Sequence, residues 1–156
     1  MIVVEKIAVL GAGIMGAGIA QVASQGGYQV IVTDTDTIYI ERGLDVIRKS
    51  LAVSQERGKL NSKDTNGILA RIKGTVRMEE AVEDAHLIIE AVPEKLELKR
   101  QLFAKIDKLC PKSTILATNT SSLNITTIAA ATQRPEKVIG MHFSNPVPEM
   151  MGVELI

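Results

Sequence analysis

An α/β fold, a doubly wound and mostly parallel sheet with helices on both faces, is predicted by three features of the sequence. Short apolar runs alternate with longer stretches of helical periodicity along the chain. The apolar runs are continuous rather than alternating, as in strands covered on both faces. A glycine-rich turn joins the first run to the first helical stretch. The length, 156 residues, suits one domain, so residues 1–156 are read as one unit.

The elements follow in order. Ile7-Ala8-Val9-Leu10 is a buried strand stopped by glycine. Residues 14–25 read as a helix through Ile14, Met15, Ile19, Val22 and Ala23, and Gly26-Gly27 ends it. Val30-Ile31-Val32 is a second strand, closing at Asp34. Residues 38–57 carry Ile40, Leu44, Ile47 and Leu51 on one helical face, with Gly58 as a stop. A shorter helix is expected over 63–73 and a short strand at Thr75-Val76. Leu87-Ile88-Ile89 is a third strong strand, followed by a helix over 94–109 that Pro111 closes. Residues 114–117 read as a strand, 124–132 as a short helix and 138–141 as a strand. Gly152–Ile156 is a last strand whose apolar end favours a polypeptide that continues, the alternative being an edge strand that ends the fold.

Composition removes several classes of function. Eighteen basic residues balance eighteen acidic ones. That leaves no basic field for nucleic acid or an anionic membrane surface. With 46% hydrophobic and 23% charged residues the chain can bury a core, so it is not disordered. One cysteine, Cys110, excludes an internal disulfide framework and a cysteine-based zinc site, and no metal site is expected. Residues 7–33 hold no charge, yet six glycines and Gln21, Ser24 and Gln25 interrupt them. A membrane span needs about 20 predominantly apolar residues, and a signal peptide a basic start. A cytoplasmic protein is therefore expected.

Gly11-Ala12-Gly13-Ile14-Met15-Gly16 has the G-x-G-x-x-G spacing, after a predicted strand and at the start of a predicted helix. That context is the one a Rossmann-type dinucleotide site requires. Gly11 permits a tight turn, Gly13 lets a pyrophosphate approach the backbone, and Gly16 lets helix and strand pack closely. Ile14 and Met15 fall between them, where the helix N-terminus presents its free N–H groups to phosphate. Asp34 lies 23 residues after Gly11 at the end of the second strand, near the offset of a ribose-binding acid. Thr33-Asp34-Thr35-Asp36-Thr37 offers no basic residue for a 2′-phosphate, so NAD is favoured over NADP. Asp36 reads better as a helix cap than as a ligand contact.

Two histidines are present. His86 opens a predicted strand beside charged residues and reads as structural. His142 follows the strand 138–141, and strand C-terminal ends face the ligand crevice in open α/β sheets. Ser144 and Asn145 add polar side chains, Asn145 as a candidate substrate contact. Glu154 lies twelve residues on. If its strand runs back beside the 142–148 loop, it can orient His142 as a general base; the alternative is a satisfied structural histidine. Asn119-Thr120-Ser121-Ser122 follows another strand and serves either a ligand or the cap of the next helix, through Ser122 or Asn124.

These segments resemble a known family. Gly11–Gln21, Glu90-Ala-Val-Pro-Glu94, Asn119-Thr-Ser-Ser-Leu123, Arg134–Pro148 and Val153–Ile156 are similar to the 3-hydroxyacyl-CoA dehydrogenases, their short-chain bacterial members above all. The resemblance spans nearly the whole chain. It implies hydride transfer between NAD and C3 of an (S)-3-hydroxyacyl-CoA, with 3-hydroxybutyryl-CoA and acetoacetyl-CoA as the expected pair. It places the catalytic pair on His142 and Glu154 and a substrate-contacting serine on Ser121. An NAD contact falls on Asn119, and Glu94 and Lys99 fall on the nicotinamide side. A CoA contact falls on Ser50 and, less securely, near Arg57 or Lys59. The resemblance also implies a following helical domain that forms a homodimer, closes over the acyl-CoA and supplies a further asparagine. Residues 1–156 alone are then expected to bind NAD but to catalyse poorly. Ser144 stands where phenylalanine or methionine is common, and Glu149, Met151 and Gly152 also depart from the family pattern. The rival readings are a dehydrogenase of free hydroxy acids or sugar acids and a non-catalytic NAD-binding module.

Overall fold

The computed structural model describes residues 3–156. Fourteen elements run in the order β1 (Lys6–Leu10), α1 (Ile14–Gln25), β2 (Gln29–Thr33), α2 (Thr37–Glu56), α3 (Ser62–Ala70), β3 (Ile72–Thr75), α4 (Met78–Val82), β4 (Leu87–Glu90), α5 (Leu96–Leu109), β5 (Ile115–Thr118), α6 (Ile125–Ala129), β6 (Val138–Phe143), α7 (Val147–Met150) and β7 (Val153–Leu155), with a short 3-10 turn at Pro135–Lys137 before β6. The strands form one sheet in the order β3-β2-β1-β4-β5-β6-β7. All neighbours are parallel except β6 and β7. The order reverses between β1 and β4, which opens a crevice at their C-terminal ends.

Strand alternation divides the core in two. Ile7, Val9, Val30, Val32 and Ile89 point to one face, under Ile19 of α1, Ile40 and Ile47 of α2, Ile68 of α3 and Val147 of α7. Ala8, Leu10, Ile88 and Leu116 point to the other, under Val82 of α4, Phe103 and Ile106 of α5 and Ile128 of α6. Helices on both faces explain why the strands read as unbroken apolar runs. Asp36 caps α2 by accepting from Ile38 N, and Asn124 rather than Ser122 caps α6 by accepting from Thr127 N. Nδ1 of His86 lies 3.2 Å from the N–H of Lys6 and 3.4 Å from that of Glu5, a structural role.

Several expected boundaries move. The helix expected over 63–73 stops at Ala70, because Ile72 pairs with Val30 and begins β3 in place of a strand at Thr75-Val76. The helix expected from 94 starts at Leu96, after Lys95 in extended conformation. The helix expected over 124–132 holds only Ile125–Ala129, and Thr132 turns back to donate to Ala129 O. Four- and five-residue helices such as α7 and α4 are too short to show a period and are not anticipated. β6 runs on to Phe143, because β7 pairs with its end, so His142 lies within the strand rather than after it.

Candidate active site

The glycine turn sits at the crevice. Gly11 has φ +103°, a left-handed conformation that favours glycine. A Cβ on Gly16 would lie 1.8 Å from the carbonyl oxygen of Gly11, so α1 packs onto the turn at a distance no other residue allows. A Cβ on Gly13 would meet no protein atom within 4 Å. The three glycines thus divide as expected into turn, open approach and close packing. Asp34 accepts through Oδ2 from Ala12 N at 2.8 Å and through Oδ1 from Thr35 N at 2.7 Å. Its carboxylate is therefore held against the turn. An unfilled approach at Gly13, the free N–H groups of α1 and a carboxylate beside them fit the pyrophosphate and ribose of a dinucleotide.

A second group of predicted residues converges on a cavity of about 540 Å³ at the ends of β4, β5 and β6. Met15, Glu94, Lys99, Asn119, Ser121, His142, Ser144 and Asn145 all line it. Ile14 is exposed at the start of α1 and does not line this cavity. His142 and Glu154 face each other across β6 and β7, with Nδ1 3.1 Å from Oε2. Asn119 Oδ1 accepts from Phe143 N at 2.9 Å, which ties the end of β5 to the histidine strand. Among the described residues the side chains of Ser121, Ser144 and Asn145 make no hydrogen bond to protein.

The floor of this cavity is a buried ionic network. Lys99 Nζ lies 2.5 Å from Glu90 Oε1 and 3.2 Å from Glu94 Oε2, and it also donates to Val92 O. Glu90 is fully buried and accepts further from Val92 N and Thr118 Oγ1. Glu94 accepts from Thr120 and Ser122. Burial pushes the Glu94 carboxyl up, but the hydroxyl of Thr120, the ammonium of Lys99 and the hydroxyl of Ser122 together hold it below the usual carboxylate range. Sequence reasoning missed Glu90, Thr118 and Thr120. The available signal was an acid closing the otherwise apolar strand Leu87-Ile88-Ile89.

Ser50 lies elsewhere. It lines a separate cavity of about 620 Å³ with Lys49, Arg57, Lys59 and, across from them, Pro148 and Glu149. The segment from Ser144 to Met151 borders both cavities. Among the described residues no cluster could hold a metal ion, and no helix is long and apolar enough to cross a membrane.

Known proteins resemble this chain in sequence and fold. A family model described as the NAD-binding domain of 3-hydroxyacyl-CoA dehydrogenase matches residues 6–156. A probable 3-hydroxybutyryl-CoA dehydrogenase of Bacillus subtilis is 46% identical over 98% of this chain and 53% of its own length. A 3-hydroxyadipyl-CoA dehydrogenase of Escherichia coli is 44% identical over 100% of this chain and 33% of its own length. The crystal structure of (S)-3-hydroxybutyryl-CoA dehydrogenase from Ralstonia eutropha superposes with a TM-score of 0.95, at 37% identity, over 98% of this chain and 54% of that one. The chain thus spans about half, or less, of the length of these relatives. With a Rossmann-type sheet, a dinucleotide turn and a family match over nearly every residue, this chain belongs to the 3-hydroxyacyl-CoA dehydrogenase family and corresponds to its NAD-binding domain.

Proposed function

We propose that the protein oxidises an (S)-3-hydroxyacyl-CoA reversibly to the 3-ketoacyl-CoA. The observation that carries this is the His142–Glu154 pair, 3.1 Å apart, whose histidine lines a cavity with Ser121 and Asn119. Bound NAD supplies the hydride acceptor. Gly11, Gly13, Gly16 and Asp34 hold its adenosine and pyrophosphate half, with Ile14 and Met15 beside the phosphates. Asn119, Glu94 and Lys99 border the nicotinamide half.

His142 does the proton chemistry. Nδ1 faces Glu154, so Nε2 is left for the substrate. As the C3–H bond gives up its hydride, Nε2 takes the proton of the C3 hydroxyl and the C=O bond forms. Glu154 accepts from Nδ1–H, fixes the tautomer and faces the imidazolium that results. In the reducing direction His142 returns the proton. Ser121 donates to the reacting oxygen, and Asn145, on the wall of the same cavity, contacts the substrate beside it. Lys49, Arg57 and Lys59 around Ser50 form a basic cavity suited to the phosphates of CoA. His142 is 34% exposed in this chain, and we infer that a following helical domain covers it and joins two copies as a homodimer. A single free cysteine, Cys110, fits a reducing compartment, the cytoplasm.

The names of the relatives point to short acyl chains, with 3-hydroxybutyryl-CoA as the first substrate to try. The test is acetoacetyl-CoA reduction by the full-length protein at saturating NADH. His142→Gln is expected to lower kcat about 10²–10⁴-fold, with NADH affinity unchanged within about twofold. An unaltered kcat would remove His142 from the chemistry. Activity on free 3-hydroxy acids but not on their CoA thioesters would shift the reading to another dehydrogenase class.

A further inference from the structure

The buried network under the candidate cavity does more than hold its shape. It contains two carboxylates, Glu90 and Glu94, and one ammonium, Lys99, so its formal charge is −1. Lys99 and Glu90 are 1% and 0% exposed. Glu90 accepts from Lys99, from Val92 N and from Thr118 Oγ1, so three donors fix its carboxylate in place. Water therefore screens little of the Lys99–Glu90 pair, and the excess negative charge falls to Glu94, at the cavity wall. The exposed edge of the network, Glu94, borders the cavity itself.

The two forms of the cofactor differ in one respect that such a charge can sense. The nicotinamide ring is a cation when oxidised and neutral when reduced, while the rest of the molecule is unchanged. We propose that the Glu90–Lys99–Glu94 network sets the preference of this site between the oxidised and reduced cofactor, favouring NAD⁺, with Glu90 as a positioning residue that acts through Lys99. This rests on the placement of the nicotinamide ring beside Glu94 under the proposed function. The sign follows from the count. Lys99 alone would repel the cationic ring; paired with one carboxylate it would be neutral; with two it leaves a net negative field. Glu90 contributes from below by neutralising Lys99, so that the charge of Glu94 is left over for the ring.

The magnitude is measurable. A unit charge acting across such a cavity, at an effective dielectric near 20, changes affinity on the order of tenfold. Loss of one carboxylate is expected to weaken NAD⁺ binding by about that factor and to leave NADH within about twofold.

The experiment is isothermal titration of the 156-residue chain with NAD⁺ and with NADH, in the unmodified protein, in Glu90→Gln and in Glu94→Gln. Glu94 is partly exposed, so Glu94→Gln keeps the question open to test if Glu90→Gln fails to fold. The expected result is a Kd ratio, NAD⁺ over NADH, that rises about tenfold in the variants. Equal weakening of both forms would overturn the electrostatic role and reduce the network to a scaffold. No change in either affinity would overturn the placement of the ring as well, and with it that part of the proposed function.

Discussion

Two glycines three residues apart in the cofactor turn should respond to alanine in opposite ways. At Gly16 the new Cβ would lie 1.8 Å from the carbonyl oxygen of Gly11 and 2.8 Å from its carbon, where ordinary contact begins near 3.4 Å. About 1.6 Å of separation must be gained, and both partners are backbone. Neither gives easily: Gly11 N donates to Thr33 O at 2.8 Å, and Ala17 N donates to Gly13 O at 2.8 Å. Overpacking against backbone falls at the upper end of the usual range, about 2–3 kcal/mol. The higher helix propensity of alanine returns about 1 kcal/mol. A net loss of about 1–2 kcal/mol lowers Tm by roughly 2–8 °C in a domain of this size. At Gly13 the same methyl meets no protein atom within 4 Å, and φ −68°, ψ −172° suits alanine. Gly13→Ala should leave Tm within about 1–2 °C, since cap preference and chain entropy nearly cancel there. It should nonetheless weaken NADH about tenfold or more, because the methyl enters the space the pyrophosphate needs. Thermal melts without cofactor and fluorescence titration with NADH read the two effects separately. Equal Tm losses in both variants, or wild-type NADH affinity in Gly13→Ala, would refute the division of roles.

Other outcomes follow from the same geometry. The unmodified chain should bind NADH well ahead of NADPH, and Asp34→Ala should weaken NADH by about 1–3 kcal/mol; equal dissociation constants for the two cofactors in parallel titrations would exclude Asp34 as the ribose acid. On the opposite side of the fold, Asp107 is buried against Arg134 and accepts from Gln133 N. Burial pushes its carboxyl up, but the Gln133 N–H and the Arg134 guanidinium more than offset this and hold it below the usual range. A depressed value in the folded state means that the pair stabilises the fold fully above about pH 4–5, and that this stability is lost as the pH falls through the folded value. Asp107→Asn should cost about 3–5 kcal/mol at pH 7 by stranding Arg134, and the cost should shrink in urea melts below pH 4.

The parallel sheet was legible because its helices cover both faces, which leaves unmistakable apolar runs. The glycine turn was legible because spacing there reports backbone sterics directly. The His142–Glu154 pair was only half legible. His142 stood out as a histidine at a ligand-facing strand end, but Glu154 is twelve residues away on an antiparallel return that spacing cannot register. The ionic network was hidden for a different reason. Glu90, Lys99 and Thr118 come from β4, α5 and β5, and nothing local in the sequence links an acid ending one strand to a lysine one turn into the next helix. Short helices such as α7 escaped because a single turn has no period.

The register of β6 and β7 carries a consequence for insertions and deletions. Surface connections usually tolerate changes in length at small entropic cost. The connection from Ser144 to Gly152 is an exception, although it holds no residue of the dyad. Side chains alternate between sheet faces, so sliding β7 by one residue would set Val153 or Leu155 opposite His142 and turn the Glu154 carboxylate to the far side. The ladder hydrogen bonds could re-form after such a slip, and the fold would scarcely register it. Val147 resists the slip: it is buried against α1, where a Cβ on Gly18 would come within 2.9 Å of it. The length of this loop, together with the Val147 anchor, therefore decides whether the histidine has its carboxylate, and a one-residue deletion after Val147 should part His142 from Glu154.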